Sequence, residues 1–355
     1  FHFDRTTRIH KKVGSLLSDL TISDNRVMAM KSAGSKLWLG FRRDGVQFID
    51  IDKKLVSSPE SKLLENLEVT QILRTKDNNI WIASYNEGIF HLAGEKINRY
   101  FNDQGAAEHS VTALFQNSYG DILAATANGV FIYLGEKQIF APINFIFGSS
   151  NQKPIVLTIS ESPAKDIWFG TKDHGIFVWH HPHLFDHNES SIALRKLTTL
   201  SSATVYAIQF DKAGYAWSST EEGIVKLDSQ GEMLARFSKS HGLQGKDFNY
   251  GAFFTDSEGS IYFGGTNGYN KFNPEKIKID SNQPRIALND IFTPTSPIKK
   301  TIDPLENKKL VITHQDYFLT LTFSVIDFLD PEKNQYRYKL ENFDPEWIEN
   351  GNRNT

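Results

Sequence analysis

The chain has 355 residues, 39% hydrophobic and 12% aromatic, with 26 Phe, 12 Tyr, no Cys and a formal net charge of −3. That balance, with basic clusters no longer than Lys11-Lys12 and Arg42-Arg43, argues against a nucleic-acid surface, which needs concentrated positive charge. The lack of cysteine excludes disulfides, thiolate metal sites and cysteine catalysis, and no run of 18 apolar residues offers a membrane-spanning helix.

Taken in chain order, two short strands come first, Phe1-His2-Phe3 and Arg8-Ile9-His10. The opening reads as mid-strand and carries no signal peptide, so the expectation is a fragment whose targeting segment lies upstream. From Val27 onward one unit recurs six times. In its clearest copy Val69-Thr70-Gln71-Ile72 is a strand, Asp77-Asn78-Asn79 a turn and Ile80-Trp81-Ile82-Ala83-Ser84 a second strand. Asn86-Glu87-Gly88 is then a tight turn and Ile89-Phe90-His91-Leu92 a third strand. The bulky second-strand position holds Trp38, Trp81, Leu123, Trp168, Trp217 and Tyr262. Two residues later every unit has a small residue: Gly40, Ala83, Ala125, Gly170, Ser219 and Gly264. The hairpin glycines are Gly45, Gly88, Gly129, Gly175, Gly223 and Gly268, which by subtraction lie 43, 41, 46, 48 and 45 residues apart.

That period is the period of a β-propeller, with one four-stranded sheet per blade. The fold class is therefore all-β. The Trp position is expected between blades, where a large ring buries most area. The small position shares its face and marks close approach of sheets. The hairpin glycine supplies positive φ. First strands open at Val27, Val69, Val111, Val156, Val205 and Tyr250, with Ala29, Gln71, Ala113, Thr158, Ala207 and Ala252 two residues on. Fourth strands are expected at Asn98-Arg99-Tyr100-Phe101 and Met233-Leu234-Ala235-Arg236-Phe237. Six complete units and half of another favour a seven-bladed ring whose first blade lacks its inner strands. The alternative is six blades, the last closed by the N-terminal strand.

The propeller is assigned to residues 1–275 and a polar linker to 276–285. Residues 286–355 then form a truncated immunoglobulin- or fibronectin-like β-sandwich, with strands at Leu310-Val311-Ile312, Phe318–Phe323 and Tyr336–Leu340.

Ile167-Trp168-Phe169-Gly170-Thr171 followed by Gly175-Ile176 resembles the repeat of the two-component regulator propeller family, as does Ile80-Trp81-Ile82-Ala83-Ser84. The segment Phe323-Ser324-Val325-Ile326-Asp327-Phe328, Pro331-Glu332-Lys333-Asn334, Tyr336-Arg337-Tyr338-Lys339-Leu340-Glu341-Asn342-Phe343-Asp344 and Trp347 resembles the triple-tyrosine domain that follows such propellers. Leu123 departs from the usual tryptophan, and Asn342 from the usual glycine. The resemblance implies the periplasmic ectodomain of an inner-membrane sensor. It further implies a membrane helix and a cytoplasmic histidine kinase or diguanylate cyclase beyond this region, an oligosaccharide or other small ligand, and a homodimer made through the C-terminal domain. Membrane attachment would come only through segments outside this chain, and no cofactor is expected.

Repeated residues are read as scaffold, so recognition is sought where the repeats differ. The second-to-third-strand hairpins carry Arg42, Arg43 and Asp44; Tyr85, Asn86 and Glu87; Lys172, Asp173 and His174; Glu221 and Glu222; and Asn267, with Asn270 just beyond. Their mixed charges and hydrogen-bonding groups suit a polar, even anionic, ligand; the plainer reading is solvated turns. His180, His183 and His187 have a spacing that could ligate metal, but Pro182 marks the segment as an exposed insertion, and no metal site is assigned. A propeller glycosidase is the enzymatic alternative, because its turns can resemble Asp211-Lys212-Ala213-Gly214-Tyr215-Ala216-Trp217. With only 12 Arg, most away from these hairpins, a carboxylate-binding arginine cluster is not evident. A protein-binding scaffold is the other alternative, since propellers host many functions.

Overall fold

The computed structural model describes residues 2–4, 9–11, 26–53, 55–94, 96–101, 110–147, 153–180, 191–277, 286–293, 314–325, 336–351 and 353. The chain divides into two compact units, Phe1–Ile277 and Lys278–Thr355.

The first unit opens with an antiparallel pair, β1 (His2–Asp4) and β2 (Ile9–Lys11). Six antiparallel sheets follow. Blade 1 is β3 (Val27–Ala33), β4 (Lys36–Phe41), β5 (Val46–Asp50) and β6 (Leu55–Ser57). Blade 2 is β7 (Val69–Arg74), β8 (Ile80–Ser84), β9 (Gly88–Ala93) and β10 (Lys96–Tyr100). Blade 3 is β11 (Val111–Gln116), β12 (Ile122–Thr126), β13 (Gly129–Leu134) and β14 (Ile139–Ile143). On the way to blade 4 the chain lays down β15 (Phe145–Phe147). Blade 4 itself is β16 (Val156–Glu161), β17 (Ile167–Thr171), β18 (Ile176–Trp179) and β19 (Ile192–Lys196), and β15 joins its outer edge parallel to β19. Blade 5 is β20 (Val205–Phe210), β21 (Ala216–Thr220), β22 (Gly223–Leu227) and β23 (Met233–Phe237). Among the described residues blade 6 has three strands, β24 (Phe248–Thr255), β25 (Ile261–Gly265) and β26 (Gly268–Phe272). After β26 the chain turns away through Asn273, whose side chain accepts from the Glu275 amide at 2.9 Å, and Pro274, which has no N–H for a ladder.

The repeat is structural in the way its spacing predicts. Trp81, Trp168 and Trp217 are almost fully buried. Each joins its blade to the next: Trp81 packs with Val111 and Leu114, Trp168 with Val205 and Ile208, Trp217 with Phe248 and Phe263. Burying one such ring is worth about 1.5–3 kcal/mol. The small position is where the next inner strand presses in. A Cβ on Gly170 would lie 2.5 Å from Thr158 Cγ2 and 2.9 Å from Val205 Cγ1. Gly175 combines φ +77° with a site where a Cβ would sit 1.9 Å from the Leu200 carbonyl oxygen.

Blade 6 departs from the expected register. In blades 1 to 5 the opening Val pairs with the last residue of the second strand, and the residue two on pairs with the small one, leaving a one-residue bulge. In blade 6 it is Phe248, not Tyr250, that takes the opening position, opposite Gly265. Phe248 is the better filler of the blade 5–6 core, where it is buried beside Trp217 and Phe263. Tyr250 falls instead inside a larger irregularity that lasts to Phe253.

In the second unit β27 (Ile286–Phe292) pairs with β28 (Thr320–Val325), and β29 (Tyr336–Tyr338) with β30 (Ile348–Gly351), both antiparallel. The strand expected at Leu310-Val311-Ile312, most of the linker and the segment from Ile326 to Asn334 lie outside the described residues.

Candidate functional site

The second-to-third-strand hairpins share one end of the blades with the segments that cross between blades. Backbone bonds tie the two sets together: Gly45 N–H to the Leu67 carbonyl, Tyr85 N–H to Glu68, Lys172 N–H to Ile155 and Gly175 N–H to Ala203. This is the end on which the sequence places its candidate ligand residues.

Most of those residues are occupied within the protein, tying a hairpin to its crossover or to the fourth strand of its own blade. Arg42 Nε lies 3.8 Å from Glu68 Oε1. Asn86 Oδ1 accepts from the Ser84 hydroxyl at 2.6 Å and the Glu68 amide at 3.1 Å. Glu87 pairs with Arg99, and Glu222 with Arg236. The Asn267 amide donates to Gln244 Oε1 at 2.8 Å, and Asn270 Oδ1 accepts from the Gln244 amide at 3.1 Å. His174 Nδ1 lies 2.9 Å from the Lys172 carbonyl within its own turn. Arg43, Tyr85 and Lys172 are exposed.

Two candidates from different blades do converge. Thr204 donates from its hydroxyl to Asp173 Oδ1 at 2.7 Å and from its amide to Glu221 Oε2 at 2.5 Å. Two residues on, Tyr206 is the unpaired bulge residue of β20. Its phenol is pushed up from its ordinary pKa, first by burial and then by the carboxylates of Glu221, Asp247 and Asp173. A phenol held neutral among these carboxylates is a hydrogen-bond donor in a group otherwise made of acceptors.

Tyr206 belongs to a set that the hairpin-centred reading misses. The bulge residues of blades 1 to 5 are Met28, Thr70, Thr112, Leu157 and Tyr206. They are the varying residue inside the otherwise regular first-strand opening, and that variation is the signal that could have found them. Two of them stitch neighbouring inner strands: Thr70 donates to the Val111 carbonyl at 2.7 Å and Thr112 to the Val156 carbonyl at 2.6 Å. The Tyr250 hydroxyl is buried near Thr70, and burial drives its pKa well up.

At the opposite ends of the sheets, the turn of blade 5 is a fastening. Asp211 Oδ1 accepts from the amides of Ala213 and Tyr215, each at 3.0 Å, and Oδ2 from Trp217 Nε1 at 2.8 Å. The blade 4 histidine is similarly engaged: His180 Nδ1 lies 3.0 Å from Asp166 Oδ2, and its Nε2 accepts from Arg195 Nε at 3.0 Å. His183 and His187 lie outside the described residues. Among the described residues no cluster of His, Cys, Asp and Glu is arranged to hold a metal ion, and no helix is long and apolar enough to cross a membrane.

Residues 63–86, which include the second strand of blade 2, match the family model of the two-component regulator propeller, so the chain carries that repeat. A similar curated protein is histidine kinase P4 of Formosa agariphila, 22% identical over 357 residues that cover 92% of this chain and 25% of the relative. The chain thus spans about a quarter of that relative's length. Among solved structures, the extracellular domain of a protein described as a hybrid two-component system from B. thetaiotaomicron is 21% identical, with a TM-score of 0.47, over 94% of this chain and 51% of that one. Virginiamycin B lyase from Staphylococcus aureus, in a catalytically inactive form with quinupristin, is 14% identical with a TM-score of 0.52, over 75% of this chain and 89% of that one. At that identity the likeness is one of fold.

Proposed function

We propose that this chain is a ligand-sensing ectodomain of a two-component signalling receptor, exposed outside the cytoplasmic membrane and coupled to a histidine kinase or diguanylate cyclase. The observation that carries the reading is the pairing of a two-component regulator propeller repeat with first-strand bulge residues that differ from blade to blade, a set we read as lining a ligand-binding mouth. The ligand would sit against Tyr206, Asp173, Glu221 and Asp247. Three carboxylates accept hydrogen bonds from hydroxyl groups and repel anions, so the mouth favours a neutral polyol such as an oligosaccharide over the anionic ligand that the hairpins alone suggest. Binding does no work on a receptor unless it favours one conformation over another. The sandwich-like C-terminal unit, acting in a homodimer, is the element proposed to carry that difference.

Calorimetry against a panel of soluble oligosaccharides tests this. A member of the panel should bind, and Glu221→Gln or Tyr206→Phe should weaken it about tenfold, the usual worth of one buried hydrogen bond. A panel with no binding heat and no thermal shift sinks glycan sensing. Hydrolysis of a glycoside by the intact unit would favour an enzyme instead.

A further inference from the structure

Two blade junctions repeat the same aromatic box. Between blades 2 and 3, the Trp81 ring centroid lies 5.7 Å from that of Tyr100, stacked at 21°, and 4.8 Å from that of Tyr133. Between blades 5 and 6, Trp217 lies 5.7 Å from Phe237, stacked at 23°, and 4.8 Å from Phe272. The correspondence follows from the repeat. Tyr100 and Phe237 each end a fourth strand. Tyr133 and Phe272 each stand four residues after the hairpin glycine, Gly129 or Gly268.

The boxes differ in what closes them. Between blades 2 and 3 a fourth ring, Phe140 of β14, sits 5.9 Å from Trp81, 5.4 Å from Tyr100 and 5.3 Å from Tyr133. Between blades 5 and 6 the chain leaves β26 through Asn273 and Pro274, and Ile277 packs on the cluster where the other box has a ring. An aliphatic side chain covers less of the three rings than a phenyl does. A cavity of about 160 Å³ remains, bounded by Trp217, Phe237, Leu243, Phe272 and Ile277 among others. That is room for one ring, since a cavity of about 150 Å³ lined by apolar side chains holds benzene.

Two polar groups complete the lining, and no carboxylate does. His241 Nδ1 accepts from the Ser238 amide at 3.1 Å, which puts the proton of the neutral imidazole on Nε2. Among the described residues that Nε2–H has no acceptor. Asn270 Oδ1 accepts from the Gln244 amide at 3.1 Å and has a second lone pair to offer. One donor and one acceptor beside a ring-sized apolar space match a hydroxyl group on an aromatic ring.

We infer that this cavity is a binding site for a monocyclic phenol, whose ring takes the place that Phe140 holds in the other box. The phenol oxygen accepts from His241 Nε2–H, and its hydrogen goes to Asn270 Oδ1. The walls come from the outer strands β23 and β26 and the segments that follow them. The site is therefore separate from the first-strand bulge residues, and it stands whether or not those bind a glycan.

Calorimetry of residues 1–355 with phenol, toluene and 1-naphthol tests this. Phenol should bind at one site per chain. Toluene should bind about tenfold more weakly, because it makes no hydrogen bond. The fused rings of 1-naphthol should not fit. His241→Phe should lower the affinity for phenol to that for toluene and leave toluene unchanged, a split that a general loosening of the loop would not give. Ile277→Phe, which supplies the ring from the chain itself, should abolish binding of both and hold or raise the Tm. Leu243→Phe fills the cavity from another wall and serves if Ile277→Phe does not fold. Absence of saturable phenol binding, equal affinity for phenol and toluene, or undiminished phenol binding in a folded filling variant would each overturn the inference.

Discussion

The junction between blades 4 and 5 and the seam between blades 6 and 1 are made from the same repeat, yet they differ in kind. At the first, Trp168, Ile176 and Val178 of one sheet interlock with Val205, Ile208 and Ala216 of the next. At the second, Tyr262 shares a cavity with Val27 and Met30 that also reaches Thr70 and Ile72 of blade 2, and Tyr269 is exposed. The residues that make a blade are local, but the energy that holds a propeller is stored between blades. A repeat fold is in this sense a sum of units and nearest-neighbour terms, and among the described residues the blade 6–1 junction has no buried cluster drawn from both sheets.

The sharpest way to break the comparison is to truncate matched residues. Trp168→Ala should cost about 3–5 kcal/mol by urea denaturation, as large-to-small changes in a filled core do. Tyr262→Ala, on the seam, should cost less than half of that in residues 1–355; equal losses would mean that the seam is already packed. Matched glycines come next. Gly175→Ala forces both a positive φ and an impossible approach to the Leu200 carbonyl, so about 3 kcal/mol or more is expected, with misfolding as the extreme. A Cβ on Gly268 meets nothing within 4 Å, so Gly268→Ala should cost only the backbone term, about 1 kcal/mol.

A smaller effect concerns His91 in the blade 2–3 junction. Its ring stacks on Trp81, with centroids 3.9 Å apart and planes 6° apart, and neither ring nitrogen has a hydrogen bond. Burial lowers its pKa below the ordinary 6.5, against an opposing pull from Asp77. The unfolded chain then takes up a proton below pH 6.5 that the folded chain resists. The resulting stability is complete above pH 6.5 and is lost as pH falls below it. His91→Phe should flatten the stability profile between pH 7 and 5; an unchanged acid slope would show that His91 is not its source. The smallest effect belongs to the exposed latches. Arg236→Ala, which removes the pair with Glu222, should change stability by less than about 1 kcal/mol in denaturant and by less still at high salt.

The candidate site was legible in part. Hairpins that vary between blades point to the end of the sheets where Thr204 joins Asp173 to Glu221, because a repeat's constant positions go to packing. Side-chain employment was not legible there. Nothing in Asn86 or Glu222 says that one will cap a crossover amide and the other meet Arg236, since those partners are set by how the blades stack. Tyr206 was passed over for the opposite reason: it sits within a strand, where alternation predicts an ordinary side, and only the bulge opposite Ser219 and Thr220 frees it from the ladder.

What the sequence determined by itself was the blade. The spacing of Trp, small residue and hairpin Gly follows from two-residue periodicity and positive-φ turns, which are local properties that a chain carries wherever it is placed. What only the tertiary structure decided was how blades meet. It gave Phe248 the place that the repeat reserves for Tyr250, because a ring without a polar hydroxyl fills the blade 5–6 core. It also left Val27, Met30 and Tyr269 uncovered, although their repeat positions are buried elsewhere. Burial belongs to pairs of surfaces, and a repeat written along one chain specifies each surface without stating which partner it finds.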